Sequence, residues 1–386
     1  MELKGNWNYP TAIRFGAGRI KELPEACKTL GMKNPLIVTD PALAKLPMIA
    51  DAVKSCTDAG LGCEVYSQLQ ANPIEENVSG GVAAFRAGKH DGVVAFGGGS
   101  ALDTGKAIAL MVGQKRPLWD FEDREDWFTR VDVKGMAPVV AVPTTAGTGS
   151  EVGRASVITD TKAHTKKIIF HPKMLPSIVI EDPQLTVGLP PHVTAATGMD
   201  ALSHCLEAYC SPFYHPMAEG IAVEGMRLIK EWLPIAVKDG RNIEARSHML
   251  IASSMGATAF QKGLGAMHSL SHPCGAHLGT HHGLTNAVVM PYVLNWNRAA
   301  IEEKMERLAA YLALEDHSFT GVLDWVLSLR ESIGIPKTLA DIGVSDEHAV
   351  KLAPEAFADP STGGNPLPMT TQDFEKLYRN CIGGAR

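Results

Sequence analysis

Pro190-Pro191 divides the chain into two stretches with different hydrophobic patterns, and this division limits the fold more than any other feature. Upstream, short apolar runs rich in β-branched residues alternate with helix-length segments. Pro35-Leu36-Ile37-Val38 leads, followed by Cys63 to Tyr66, Gly92 to Phe96 and Val139 to Val142. Helical stretches to about Ala59, from Glu75 to Lys89 and from Ala101 to Val112 separate them. Runs of this length between helices indicate a parallel sheet covered on both faces. Further strand signals at 157–159, 168–170 and 178–180 close the first half. Downstream of the proline pair, long segments rich in Ala, Leu, Met and Glu, such as 218–237 and 243–261, carry almost no strand signal. Two consecutive prolines cannot continue a helix or a central strand. The expected fold is an α/β domain over residues 1–185 and an all-helical domain over 186–386.

Composition excludes several function classes. With 36 basic and 42 acidic side chains the net charge is −6, and no basic block offers a phosphate-backbone surface, so a nucleic-acid partner is not expected. The apolar runs are far shorter than the roughly 20 residues of a membrane span. The opening residues lack a basic segment followed by an apolar core, so no signal peptide is read there. Seven scattered cysteines without a CxxC pair fit reduced thiols and exclude a four-cysteine zinc site. The expected compartment is the cytoplasm.

Two glycine-containing loops follow strands. Phe96-Gly97-Gly98-Gly99-Ser100 opens a helix, where the backbone can approach a ligand closely and the helix N-terminus favours an anion. It matches neither GxGxxG nor GxxxxGK[ST], so by itself it reads as an anion site for a nucleotide. Residues 144–150 pack four hydroxyls (Thr144, Thr145, Thr148, Ser150) and two glycines into seven positions, a dense set of partners for ribose and phosphate oxygens. Open α/β sheets bind ligands at their carboxyl ends, which favours both loops. Asp40, ending a strand, suits a ribose 2′-hydroxyl and would repel a 2′-phosphate; it equally suits a helix cap.

The helical half carries the sharper signal. Asp200 and His204 share one helix face at i and i+4, His268 and His272 repeat that spacing, and His282 follows a Gly/His-rich loop. Six of the 14 histidines fall at 204 or between 268 and 282. A carboxylate with several imidazoles at helical spacing is how a bundle core holds a divalent metal, and such ligands suit Fe(II), Zn(II), Co(II) or Mn(II) alike.

GGGSALDTGKA, PTTAGTGSE, GMDALSHCLEAY and HSLSHPCGAHLGTHHGLTNAVVMP, with the closing Thr362-Gly363-Gly364-Asn365-Pro366, resemble the iron-containing (group III) alcohol dehydrogenases over nearly the whole chain. The resemblance implies a nucleotide-binding α/β domain, a helical metal domain and an active site in the cleft between them. It implies metal ligands at Asp200, His204, His268 and His282, with His272 as the catalytic histidine. It places NAD at Asp40, Asn72, Gly98, Gly99, Ser100, Asp103, Thr144, Thr145 and Thr148, with Leu185 and Gly188 completing the nucleotide wall. A lysine near the nicotinamide ribose falls on Lys166 or Lys167, and counting from Asp200 favours Lys166. The metal implied is iron(II), with zinc(II) second. The substrate is a small alcohol or aldehyde, and the assembly a homodimer or larger. His281, where the family often has proline, and His277 depart from the pattern; either could add a proton path or replace a ligand. Cys205 and Cys274, adjacent in sequence to these positions, could bind the wrong metal.

Two other classes fit parts of this pattern. An NAD- and metal-using sugar-phosphate lyase would need a basic substrate pocket, and no Lys/Arg cluster lies among the helical-half motifs. A non-catalytic nucleotide- or metal-binding protein would not need His272 beside a full ligand set.

Overall fold

The computed structural model describes residues 9, 11–163 and 165–385. Residues 1–8, which carry most of the segment read against a leader, lie outside them. The chain forms two units, one of Tyr9–Thr145 with Gly149–Val187, the other of Ala146–Thr148 with the chain from Gly188 onward.

In the first unit, strands β1 (Ala12–Phe15), β2 (Pro35–Val38), β3 (Glu64–Tyr66), β4 (Gly92–Gly97), β5 (Val139–Pro143) and β8 (Ile178–Glu181) form one sheet in the order β1-β8-β5-β4-β2-β3. Every pairing is parallel. The apolar runs are continuous because both faces are buried, and successive residues divide between them. Leu36, Val38, Val93, Ala95 and Ala141 face α3 (Glu75–Ala87) and α4 (Gly99–Met111). Ile37, Val94, Phe96, Val140 and Val142 face α1 (Leu23–Thr29) and α2 (Pro47–Asp58).

The other two strands, β6 (Ala155–Asp160) and β7 (Thr165–Phe170), pair antiparallel as a separate hairpin. Asp103 ties this hairpin to α4, its carbonyl accepting from Ser156 Oγ (2.8 Å) and its Oδ2 from the Val157 amide (3.0 Å).

The second unit is helical among its described residues. It comprises α5 (Pro191–Cys210), α6 (Pro216–Lys238), α7 (Ile243–Ala259), α8 (Ala266–Leu278), α9 (His282–Tyr311), α10 (Phe319–Ser332), α11 (Asp346–Ala358) and α12 (Thr371–Gly383). Pro191 opens α5 at its first position, where a missing N–H is no loss. The proline pair thus starts a helix as well as ending the strand pattern. From Gly198 to Cys210 every α5 residue is buried, so α5 is the centre of this unit. Glycine allows its neighbours to come close: a Cβ at Gly256 of α7 would meet the Ala201 carbonyl and His204 Cβ at 3.1 Å. At Gly283 of α9 a Cβ would meet the Ala196 carbonyl at 2.5 Å and Asp200 Cβ at 2.9 Å. No described helix is long and apolar enough to cross a membrane.

The same close approach seats α4 on the sheet, since a Cβ at Gly105 would lie 2.7 Å from Ala95 Cβ and 3.2 Å from its Cα. Gly105→Ala should therefore overpack this contact and lower stability by about 1–3 kcal/mol in urea unfolding. An unchanged midpoint would show that α4 can shift freely.

Candidate metal centre and cofactor loops

Three helices bring Asp200, His204, His268 and His282 together. Each offers a ligand atom, and these atoms all lie within 4.8 Å of one another. Asp200 and His204 sit one turn apart on α5, His268 is in the first turn of α8, and His282 is the first residue of α9. The first three are buried and His282 is partly open to solvent. Burial pushes the His204 imidazole down to about 4, so it stays neutral, the form in which it binds a metal.

The Nδ1 atoms of His268, His272 and His282 are held. His268 Nδ1 lies 2.6 Å from Glu207 Oε2, while Glu207 Oε1 accepts from the Met267 amide (2.7 Å). Burial alone would lower the His268 pKa, but the Glu207 carboxylate outweighs it and the pKa is raised. Ser271 donates to the His268 carbonyl (3.4 Å), so its oxygen is an acceptor for His282 Nδ1 at 3.0 Å. His272 Nδ1 lies 2.7 Å from Asp359 Oδ2. This network assigns the proton of His268, His272 and His282 to Nδ1, leaving Nε2 as the lone-pair atom. His268 Nε2 and His282 Nε2 converge on Asn286 Nδ2, at 3.3 and 3.2 Å, with Asp200 Oδ1 at 2.9 Å. A carboxylate and three imidazoles, with Glu207 and Ser271 orienting two of the rings, fit a divalent cation.

His272 stacks on His282, centroids 5.2 Å apart. For Asp359, burial works upward, but His272 and the Ser361 amide win and hold the carboxyl below its ordinary range. The two departures from the family pattern have other partners. His277 Nε2 meets the Glu355 carboxylate at 2.8 and 2.9 Å, and His281 caps α9, accepting from the Leu284 amide. Neither cysteine beside the ligands belongs to the set, and burial pushes both thiols up to about 12. The closing motif is a brace: Asn365 Oδ1 accepts from the Ala266 amide (3.2 Å) and Asn297 Nδ2 (2.9 Å), seating α8 against α9.

In the α/β unit the residues assigned to the cofactor gather at the carboxyl ends of the central strands. Gly97 takes φ +151 as β4 turns into α4, and a Cβ there would lie 3.8 Å from Asp40 Oδ2. Helix α4 already starts at Gly99, so Gly99 and Ser100 form its first turn, whose amides lack intrahelical partners. Ser100 Oγ donates to the Ala71 carbonyl, bringing the segment with Asn72 to that turn. A Cβ at Gly98 would lie 3.3 Å from Thr145, and the Thr144 amide donates to the Gly97 carbonyl (3.0 Å), so the two loops adjoin.

Other assigned residues occupy different surroundings. Asp40 Oδ1 caps its own turn, accepting from the Ala42 and Leu43 amides. Asp103 is buried, its oxygens taken by Ser150 (2.5 Å), Val157 (3.0 Å) and Lys106 (3.3 Å), and it holds the 144–150 loop from behind. Lys167 is tied to Asp160 (2.8 Å), and its neighbour Lys166, opposite Thr159 in the hairpin, points to the other face. Leu185 is buried in the core on the α1/α2 face, Thr148 is half-buried, and Gly188 is exposed.

Residues 10–183 match the family described as iron-containing alcohol dehydrogenase, and 194–382 match its C-terminal domain. The chain belongs to the iron-containing alcohol dehydrogenases. It is 37% identical to an NAD-dependent methanol dehydrogenase of Bacillus methanolicus, covering 98% of this chain and all of the relative. It is 36% identical to a 4-hydroxybutyrate dehydrogenase of Cupriavidus necator, over 97% and 99% of the two chains. A solved 1,3-propanediol oxidoreductase superposes with a TM-score of 0.93 at 33% identity, over 98% and 100% of the two chains. The family's cofactors are NAD and iron, and its members are oxidoreductases acting on alcohols.

Glu207, Asn286 and Asp359 were missed by sequence reasoning. Glu207 was within reach, three residues past His204 and seven past Asp200 on the same helix face. Glu207→Gln should keep the fold but weaken metal binding ~10–100-fold, as loss of an outer carboxylate does. Titration of the metal-free protein against a chromophoric chelator measures this, and unchanged affinity would contradict the role.

Proposed function

We propose that this chain is an NAD-linked dehydrogenase for short primary alcohols, working reversibly as an aldehyde reductase. The observation that carries the reading is the buried cluster of Asp200, His204, His268 and His282, in a chain whose relatives are named for NAD, methanol, 4-hydroxybutyrate and 1,3-propanediol. The α/β unit would hold NAD through Asp40, Asn72, Gly98, Gly99, Ser100, Thr144, Thr145, Lys166 and Leu185, with Asp103 supporting the loop, while Thr148 and Gly188, assigned to the same cofactor, belong to the helical unit. The four helical ligands would hold a divalent cation, iron(II) by family.

The cation, when bound, supplies Lewis acidity toward an alcohol oxygen, and NAD accepts the hydride. The protein's own side chains do the rest. Glu207 and Ser271 keep Nδ1–H of His268 and His282 occupied, so each ring turns its Nε2 lone pair inward without rearranging. His272, held at Nδ1 by Asp359, keeps Nε2 available to take the alcohol proton directly or through one water. Its stacking on His282 fixes that nitrogen beside the ligand set. Asp40, if it reads the adenosine ribose, sets the preference for NAD.

The test is a panel of short alcohols with NAD on iron-loaded protein, followed at 340 nm. NADH should accumulate over many turnovers. His268→Ala should lose metal and turnover together, by more than the ~10–100-fold cost of an outer partner, while still binding NAD. Full activity in that variant would overturn the ligand assignment; bound NAD with no net NADH from any alcohol would overturn the redox reading.

A further inference from the structure

Three of the seven cysteines meet at the amino end of the parallel sheet, the end opposite the glycine loop. Cys27 on α1 and Cys56 on α2 are fully buried in one apolar cluster, and Cys63, just before β3, packs against it. Helix α2 ends at Asp58, Gly60 reverses the chain at φ +80, and the Leu61 amide returns to the Cys56 carbonyl (3.0 Å). The Gly62 amide then docks on the Lys33 carbonyl (2.8 Å). This turn lays Cys63 against the last turn of α2, where it meets Cys56 beside Cys27. Cys63 is the one cysteine of the seven that is not fully buried.

We propose that Cys63 and Cys56 form a reversible oxidation site for hydrogen peroxide, closing a Cys56–Cys63 disulfide. Peroxide transfers one oxygen to the Cys63 sulfur, giving a sulfenic acid and releasing one water. The Cys56 sulfur then attacks the Cys63 sulfur, the S–O bond breaks, and a second water leaves. Peroxide is reduced to two waters, and the two thiols lose two protons and two electrons.

The surroundings divide this labour. Cys63 is the partly exposed cysteine, and Cys56, buried beside it in the same cluster, is the sulfur placed for the second step. The remaining four thiols, Cys205, Cys210, Cys274 and Cys381, are closed to solvent. Oxidation is thereby directed to one pair.

Peptide mapping of the peroxide-treated, metal- and NAD-loaded protein tests this. Proteolysis at Asp58 separates Cys56 from Cys63. Without reductant, the two peptides should remain joined, lighter by ~2 Da than their sum for the two hydrogens lost, and dithiothreitol should part them. In Cys56→Ser, dimedone should label Cys63. The wild-type map decides even if that variant fails to fold. A Cys27–Cys56 link, or Cys63 still fully alkylatable after peroxide, would overturn the proposal.

Discussion

The buried carboxylate of Glu207 is the interaction on which the metal centre depends. One oxygen accepts the amide at the start of α8 and the other holds the His268 ring. A negative charge suits that helix end, whose first amides have no partners within the helix. The charge is tolerated in the interior because both oxygens are satisfied, and removing either partner would leave an uncompensated buried group. Because Glu207 shares α5 with Asp200 and His204, a single helix sets two of the proposed ligands and orients a third. The fourth arrives with α9, brought against α5 at Gly283.

The centre thus rests on helix-to-helix distances that glycine permits. At Gly283 the neighbouring backbone is too close for a side chain, and at Gly256 even a Cβ would be tight. At the same end of α8, Asn365 reaches from a distant turn to the helix's first amide and to Asn297 of α9. These contacts fix three helices before any ion is bound, which is the preorganisation that a tight site requires. The thiols near the ligands follow the same logic in reverse. Cys205 and Cys274 fill apolar space as protonated side chains, and the cysteines that meet one another lie in the other unit.

How much of this was legible in the sequence depended on periodicity. Strands β2, β4, β5 and β8 are continuous apolar runs with both faces covered, and they announce themselves. Strand β1 is a largely exposed edge of four residues that includes Arg14, so no apolar pattern marks it. The strands at 155–160 and 165–170 were visible, but their separation from the main sheet was not, because local pattern carries no pairing information. Asp200 and His204 were readable from helical spacing. Asp359 could not be linked to His272 across 87 residues, and His281 reads as a ligand candidate until the α9 N-terminus shows it as a cap.

One carboxylate and three imidazoles, and no thiol, are the proposed ligands of the metal. X-ray absorption at the zinc edge of zinc-loaded protein tests this set most directly. A four-coordinate shell of nitrogen and oxygen at about 2.0–2.2 Å, with the outer-shell scattering of imidazole rings, is expected. A sulfur scatterer near ~2.3 Å, or a shell without imidazole scattering, would contradict it.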